Sequence, residues 1–381
     1  MKKLSLAIIL AAAGFSASTL AEIRFNGFAS IVAGKSISDN TGATGFDNDI
    51  SFKNESIFAL QAATDLQENL SATAQIVARG ANDFEADFEW AYLTYEISDH
   101  WQVSAGKMRI PLYKYSDFLD VGYAYRWVRP PQSVYNLPFS TYEGLSFLHN
   151  SQLGNWDSSL QLVYGGFDDE IYGVSPNDQA ELNNIAGLNW TLSYNWFSAR
   201  AAYFAAETSV ELNNSSATGA AINTLEAGLR GAGFTQQADN VAIDEDDGTF
   251  MAVGFSIDYN NILFDTEYTV FEVENSVFAK QTQYYASFGY RIEDYLLHLT
   301  YEDTSDEHDS NRFDQVTTVP QLNQGLNQVL SSFESNRNIY TLGARYDFHP
   351  MAALKVDYSR FDDKKQNEDS GLVLVAVDLV F

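Results

Sequence analysis

Along most of this chain, apolar and polar residues exchange places at every second position, in stretches of about ten residues. Leu70 to Arg79 is the clearest case: Leu70, Ala72, Ala74, Ile76 and Ala78 on one parity, Ser71, Thr73, Gln75, Val77 and Arg79 on the other. Tyr284, Ala286, Phe288 and Tyr290 alternate in the same way with Gln283, Tyr285, Ser287 and Arg291, and Tyr340, Leu342, Ala344, Tyr346 and Phe348 with Thr341, Gly343, Arg345 and Asp347. A period of two puts successive side chains on opposite faces of a β-strand. Sixteen such segments are predicted, beginning near Ile23, Ser56, Leu70, Phe84, Trp101, Tyr142, Trp156, Asn184, Phe197, Thr249, Ile262, Lys280, Tyr295, Asn338, Ala353 and Gly371. Beyond the N-terminal leader there is no run of 18 apolar residues, so spanning helices are not expected.

The connections alternate in length. Gln67-Glu-Asn69, Ser98-Asp-His100, Asn150 to Asn155, Asn195-Trp196, Asn260-Asn261, Ile292-Glu-Asp294 and Pro350-Met-Ala352 are short and rich in turn formers. Between them lie longer loops at 34–55, 110–141, 166–183, 209–248 and 303–337, the last two with helix-tolerant pieces at 219–231 and 321–333. The fold class expected is all-β: a transmembrane antiparallel β-barrel of 16 strands, with short periplasmic turns and long extracellular loops. A soluble β-sandwich also alternates. Apolar parities free of charge over so many segments favour the barrel, with 14 or 18 strands as neighbouring counts. The last segment, Gly371 to Phe381, would close the barrel against the first. Val373 through Phe381 then face lipid on one parity, and Asp378 faces water on the other.

Composition narrows the compartment. Met1-Lys2-Lys3, the apolar run Leu4 to Phe15 and Thr19-Leu20-Ala21 form a signal peptide over 1–21, leaving 22–381 as one barrel domain. Cysteine is absent, which excludes disulfides and thiolate metal sites. The net charge of −29, or −31 without Lys2 and Lys3, argues against nucleic acid and anionic surfaces as partners. Acids gather at Asp244 to Asp247 and Asp303 to Asp309; they read as solvated loops, with divalent-ion bridging to the outer leaflet as the sharper alternative. The 22 Tyr, 26 Phe and 6 Trp suit interfacial girdles.

The parities also nominate a wall. Arg24, Arg79, Glu96, Arg200, Asp265 and Glu267 fall on the polar face, as do Arg291, Arg345, Asp347, Lys355 and Asp357. An Arg or Lys facing lipid at midplane costs roughly 2–4 kcal/mol, so these groups should face water. Lys107 breaks the pattern: it lies above the hydrocarbon band, or a bulge precedes it. The long loop 110–141 and its approach concentrate cations, with Lys107, Arg109, Lys114, Arg126 and Arg129 against Asp117 and Asp120.

Strand count, leader, loop alternation and terminal Phe381 together resemble the sixteen-stranded, general-diffusion porins of the Gram-negative outer membrane. The segment Gly106-Lys-Met-Arg-Ile-Pro-Leu-Tyr113 is similar to a porin strand-to-loop entry, and Tyr123 to Pro131 is similar to the basic entry regions of anion-preferring porins. The resemblance implies passive diffusion of small hydrophilic solutes and ions through a homotrimer in outer-membrane lipid, with no cofactor. It implies that 110–141 folds into the lumen and that Lys114, Asp117, Asp120, Arg126 and Arg129 constrict it. It also implies that Phe381 is read by the barrel-insertion machinery. Two alternatives stay open. Tyr123, Tyr125, Trp127 and Tyr135 could form an aromatic ladder for a sugar, or simply pack the loop against the wall. A barrel-borne enzyme would need a nucleophile and base in reach. Of five histidines only His298 is mid-strand on the polar parity, His149 closing a strand, and no Gly-x-Ser-x-Gly occurs.

Overall fold

The computed structural model describes residues 22–38, 44–171, 178–214, 216–308 and 313–381; the expected signal peptide lies outside them. Sixteen strands close on themselves. The first eight are β1 (Ile23–Ser36), β2 (Ile57–Gln67), β3 (Leu70–Arg79), β4 (Ala86–Ser98), β5 (Trp101–Arg109), β6 (Thr141–Leu153), β7 (Trp156–Glu170) and β8 (Gln179–Tyr194). The second eight are β9 (Phe197–Glu211), β10 (Asp246–Tyr259), β11 (Ile262–Val273), β12 (Lys280–Ile292), β13 (Tyr295–Glu307), β14 (Asn336–His349), β15 (Ala352–Asp363) and β16 (Glu368–Val380). Each pairs antiparallel with its sequence neighbours, and β1 meets β16 from Phe28↔Val380 to Ser36↔Leu372. Closure leaves no strand edge, which a bilayer requires because it offers unpaired backbone groups no water.

Alternation decides which face each residue takes. Leu188, Tyr203, Met251 and Val270 lie in one cross-strand row, and the first three are exposed on the outside, where lipid replaces water. Seven hairpins at one rim have two-residue turns, and Asn69, Asn195, Asn260, Glu293 and Gly154 hold the left-handed conformation such turns demand. The turn expected over 150–155 shrinks to Gly154-Asn155, because β6 runs on to Leu153. His149 therefore lies inside the strand, its ring 4.4 Å from that of Trp101. At the other rim strands outlast the expected boundaries: β8 starts at Gln179, and the acidic runs near Asp244 and Asp303 lie partly within β10 and β13. Ladder hydrogen bonds continue past the apolar band, so hydrophobicity alone did not locate these ends.

The helical pieces fall as expected, in α1 (Ala217–Gly231) and α3 (Pro320–Ser332); α2 (Thr235–Ala242) was not anticipated. Ser216 caps α1 by accepting the Gly219 amide at 2.9 Å, and Pro320 opens α3 where a missing N–H costs nothing. Leu225, Leu229, Val241, Val316 and Leu326 form a small apolar core under these helices at the long-loop rim.

At the opposite rim Phe381 completes the β1 pairing: its carbonyl accepts the Gly27 amide at 2.7 Å and its amide reaches the Gly27 carbonyl at 2.9 Å. A Cβ on residue 27 would fall within the Phe381 ring, so glycine there seats the terminal aromatic beside Phe58.

Candidate functional site

The connection from β5 to β6, residues 110–140, folds into the barrel and not away from it. Its apolar side chains explain part of this: Ile110, Leu112, Tyr113 and Trp127 pack on Ile185, Phe204, Phe250 and Tyr285 of the inner wall. On the far side Val128, joined by Phe46 from the β1–β2 loop, covers Val32, Ile339, Leu372 and Leu374. The inner parity of β16 is thus sealed by protein.

Wall charges hold the rest. Arg200 donates to the carbonyls of Pro111 at 2.6 Å and Leu112 at 2.9 Å. Arg345 Nη1 reaches the carbonyls of Tyr123 at 2.7 Å and Tyr125 at 2.8 Å. Lys355 Nζ reaches those of Gly122 at 2.5 Å and Trp127 at 2.7 Å. Carboxylates take the loop's amides: Glu267 that of Lys114 at 3.0 Å, Asp357 that of Val128 at 2.8 Å, Glu302 that of Ser133 at 3.0 Å. An irregular loop inside a barrel needs such partners, because buried main-chain groups are costly unless bonded.

These contacts correct one expectation. Arg200, Asp265, Glu267, Lys355 and Asp357 face inward as predicted, yet the loop covers Glu267, Lys355 and Asp357 and leaves Arg200 and Asp265 only at the edges of two cavities. Asp378 is also covered: it pairs with Lys355 at 2.8 Å and both side chains are 0 % exposed. A Cβ on Gly122 would collide with Asp378 and Ser30, so glycine lets the loop settle on this pair. Arg24 pairs with Asp65 at 2.6 Å, exposed near the short-turn rim; Glu96 is also exposed there. Arg291 pairs with Asp258 at 2.6 Å and Arg345 with Asp347 at 2.8 Å.

The loop's cations also contact carboxylates, two of them sharing one. Arg126 and Lys114 both contact Asp265. Arg129 meets Glu55 at 2.5 Å. Asp120 takes Arg79 at 2.8 Å and Arg109 at 2.5 Å; burial pushes its carboxyl up, but the two guanidiniums hold it below the usual range. Glu89 completes this cluster, 2.8 Å from Arg79 and 2.6 Å from Arg109. Sequence reading missed Glu89. Counting back from outward Leu93 and Ala91 would put it in lipid, and the register shift opposite Gln75 and Ile76 is the bulge that turns it inward. Lys107 stays on the outer parity, in register with Glu143 and 3.8 Å from Asp169.

The aromatic residues of the loop resolve as packing. Tyr115 contacts Trp127 edge-on at 5.7 Å, Trp127 contacts Tyr285 at 5.9 Å, and the Trp127 indole donates to Thr300 at 2.7 Å. Trp127 is buried and borders no passage, whereas Tyr115, Tyr123 and Tyr125 lie at the edge of a cavity. His298 pairs with Asp357 at 3.1 Å behind Trp127, fully buried.

Beside the loop lie two largely polar cavities. The larger, about 570 Å³, runs between the loop and β4 to β10. Its wall side carries the neutral polar groups Gln102, Ser146, Gln161, Asn189 and Thr191 together with Arg109 of β5 and Arg200 of β9; Lys114 and Asp117 line it from the loop. The second, about 370 Å³, lies on the side of the short turns and takes in Arg126, Asp258, Asp265, Arg291, Arg345 and Asp347. Only Lys114 and Ser256 line both. Among the described residues no group of three or more acids or histidines is placed to hold a metal ion.

A family model described as Gram-negative porin matches residues 5–366. No curated protein sequence matches the chain. Among solved structures, an anion-selective porin from Comamonas acidovorans superposes with a TM-score of 0.59 at 12 % identity, covering 95 % of this chain and 100 % of the other. OmpF of Salmonella typhi, solved with daunomycin, gives 0.58 at 13 % identity, covering 95 % and 98 %. The trimer form of in-vitro folded OmpT, an outer membrane protein of Vibrio cholerae, gives 0.54 at 12 %, covering 94 % and 99 %. At such identities the likeness establishes the fold and nothing finer.

Proposed function

The chain belongs to the Gram-negative porin family and is an outer-membrane diffusion channel for small hydrophilic solutes and ions, and from that premise we propose how its parts divide the work. Solutes pass the inserted loop through the larger cavity, skirt the hydrogen-bonded pair Lys114 and Ser256, and leave through the smaller one. The observation that carries this reading is that only these two residues line both cavities. In this reading Lys114 and Asp117 border the constriction itself. Asp120, Arg126 and Arg129, each bound to an oppositely charged partner, fix the loop that forms it. The buried wall charges anchor that loop, and Arg24, Glu96, Arg291 and Asp347 border the exit.

No bond chemistry enters this account. His298 is sealed behind Trp127 and borders neither cavity. Phe381, exposed on its glycine seat at the rim, is the proposed contact for the barrel-insertion machinery. A homotrimer is the proposed assembly. Its support is the outer face of β2 to β5, where Ala62, Ala72, Ala74, Ala91 and Ala105 surround an apolar hollow of about 450 Å³ that lets a second barrel come close.

Single-channel recording in a planar bilayer tests channel and assembly together. The expected record is an ohmic current that closes at high voltage in three equal steps. Absence of any current would remove the diffusion reading, and closure in a single step would remove the trimer.

A further inference from the structure

Resting on that route, we infer that Lys114 is the specificity-determining residue of the passage and that it makes the passage prefer small anions, such as chloride or a short carboxylate, over cations. The first argument is local stoichiometry. At the junction of the two cavities one carboxylate, Asp265, serves two cations, Lys114 and Arg126. Arg126 is 5 % exposed and Lys114 23 % exposed, so the uncompensated charge emerges into the passage at Lys114 Nζ. That ammonium is pinned where both cavities meet, donating to Ser256 Oγ and Asp265 Oδ1 and, at 3.2 Å, to the Tyr115 hydroxyl.

The second argument is the lining as a whole. The larger cavity carries Arg109, Lys114 and Arg200 against Asp117 alone. The carboxylates that balance these cations, Glu89, Asp120 and Glu267, do not line it. The smaller cavity carries Lys114, Arg126, Arg291 and Arg345 against Asp258, Asp265 and Asp347. A cationic lining inside a chain of net charge −29 is a local inversion of sign.

The acidic long-loop rim does not cancel it. Asp247 stands nine residues up β10 from Ser256, about 30 Å along the strand. Salt screens exposed charges within about 8 Å at physiological strength. Selectivity is set by the charges at the narrowest, least hydrated point.

The test is the reversal potential in a KCl gradient for the wild-type protein, Lys114→Gln, Lys114→Arg and Asp117→Asn. The wild type is expected to pass chloride in preference to potassium. Lys114→Gln should lower the chloride-to-potassium ratio by at least about threefold, the effect of one unit charge roughly 7 Å from a passing ion in water. Lys114→Arg should restore the ratio, and Asp117→Asn should raise it. A wild type that prefers potassium, or a ratio unmoved in Lys114→Gln, overturns the inference while the diffusion channel stands. A wild type that passes no current overturns both.

Discussion

Lys114 shows how one side chain can be both structural tie and functional element. Burial, with Arg126 alongside, draws its ammonium down to about 8 from an ordinary value of 10.5. Below pH 8 the group is charged in both folded and unfolded chains, and the folded state bears the full burial cost. Between 8 and 10.5 the unfolded chain binds the proton more tightly, so this residue's contribution to stability improves as pH rises. Its charge in the passage falls over the same range. Raising the pH from 7 to 9 should therefore carry the wild-type reversal potential most of the way to that of Lys114→Gln, whose own value should stay nearly constant. Equal pH shifts in both proteins would assign the titration elsewhere. Residue-level chemistry was partly legible in the sequence. The cationic loop could be seen, but not its partners: Glu55, Glu89 and Asp265 come from three distant strands or loops, and Glu89 faces inward only because of a bulge.

At the scale of elements, the inserted loop is specified by the wall. Arg200, Arg345 and Lys355 together hold six of its carbonyls, and Glu267, Asp357 and Glu302 hold three of its amides. Arg345→Met would leave the Tyr123 and Tyr125 carbonyls without these donors; a buried polar group so orphaned costs about 1–3 kcal/mol. About 1.4 kcal/mol is tenfold in an opening equilibrium. Trypsin cleavage after Arg126 in the folded, detergent-solubilised barrel should thus speed up by about tenfold or more. An unchanged cleavage rate with intact β-structure would mean that apolar packing alone retains the loop. Strands themselves were easy to read, since period-two alternation survives without any tertiary context; thirteen of the sixteen predicted starts lie within two residues of the observed ones. The exceptions, β8, β10 and β16, begin three to five residues early at the long-loop rim, where the alternating faces meet water on both sides and hydrophobicity stops marking the boundary.

For the whole molecule, the barrel is a closed scaffold whose lumen is unevenly filled. Loop and wall pack against each other over much of the lumen, while inward residues of β4 to β10 stay open to the larger cavity. The passage is therefore off-centre, bounded on the wall by neutral polar groups with Arg109 and Arg200 among them and on the loop by Lys114 and Asp117. Sequence pattern could give the barrel and its inward parity, but not this division, because both halves alternate in the same way and only the loop's position separates wet from sealed. The chain's lack of cysteine provides a clean background for locating the passage. Single-channel current before and after a bulky thiol reagent should be compared for the wild type, Ser256→Cys and the lipid-facing control Val253→Cys. The account predicts that only the Ser256→Cys current falls substantially on labelling; a fully labelled Ser256→Cys channel with undiminished current would place the route of solutes elsewhere in the barrel.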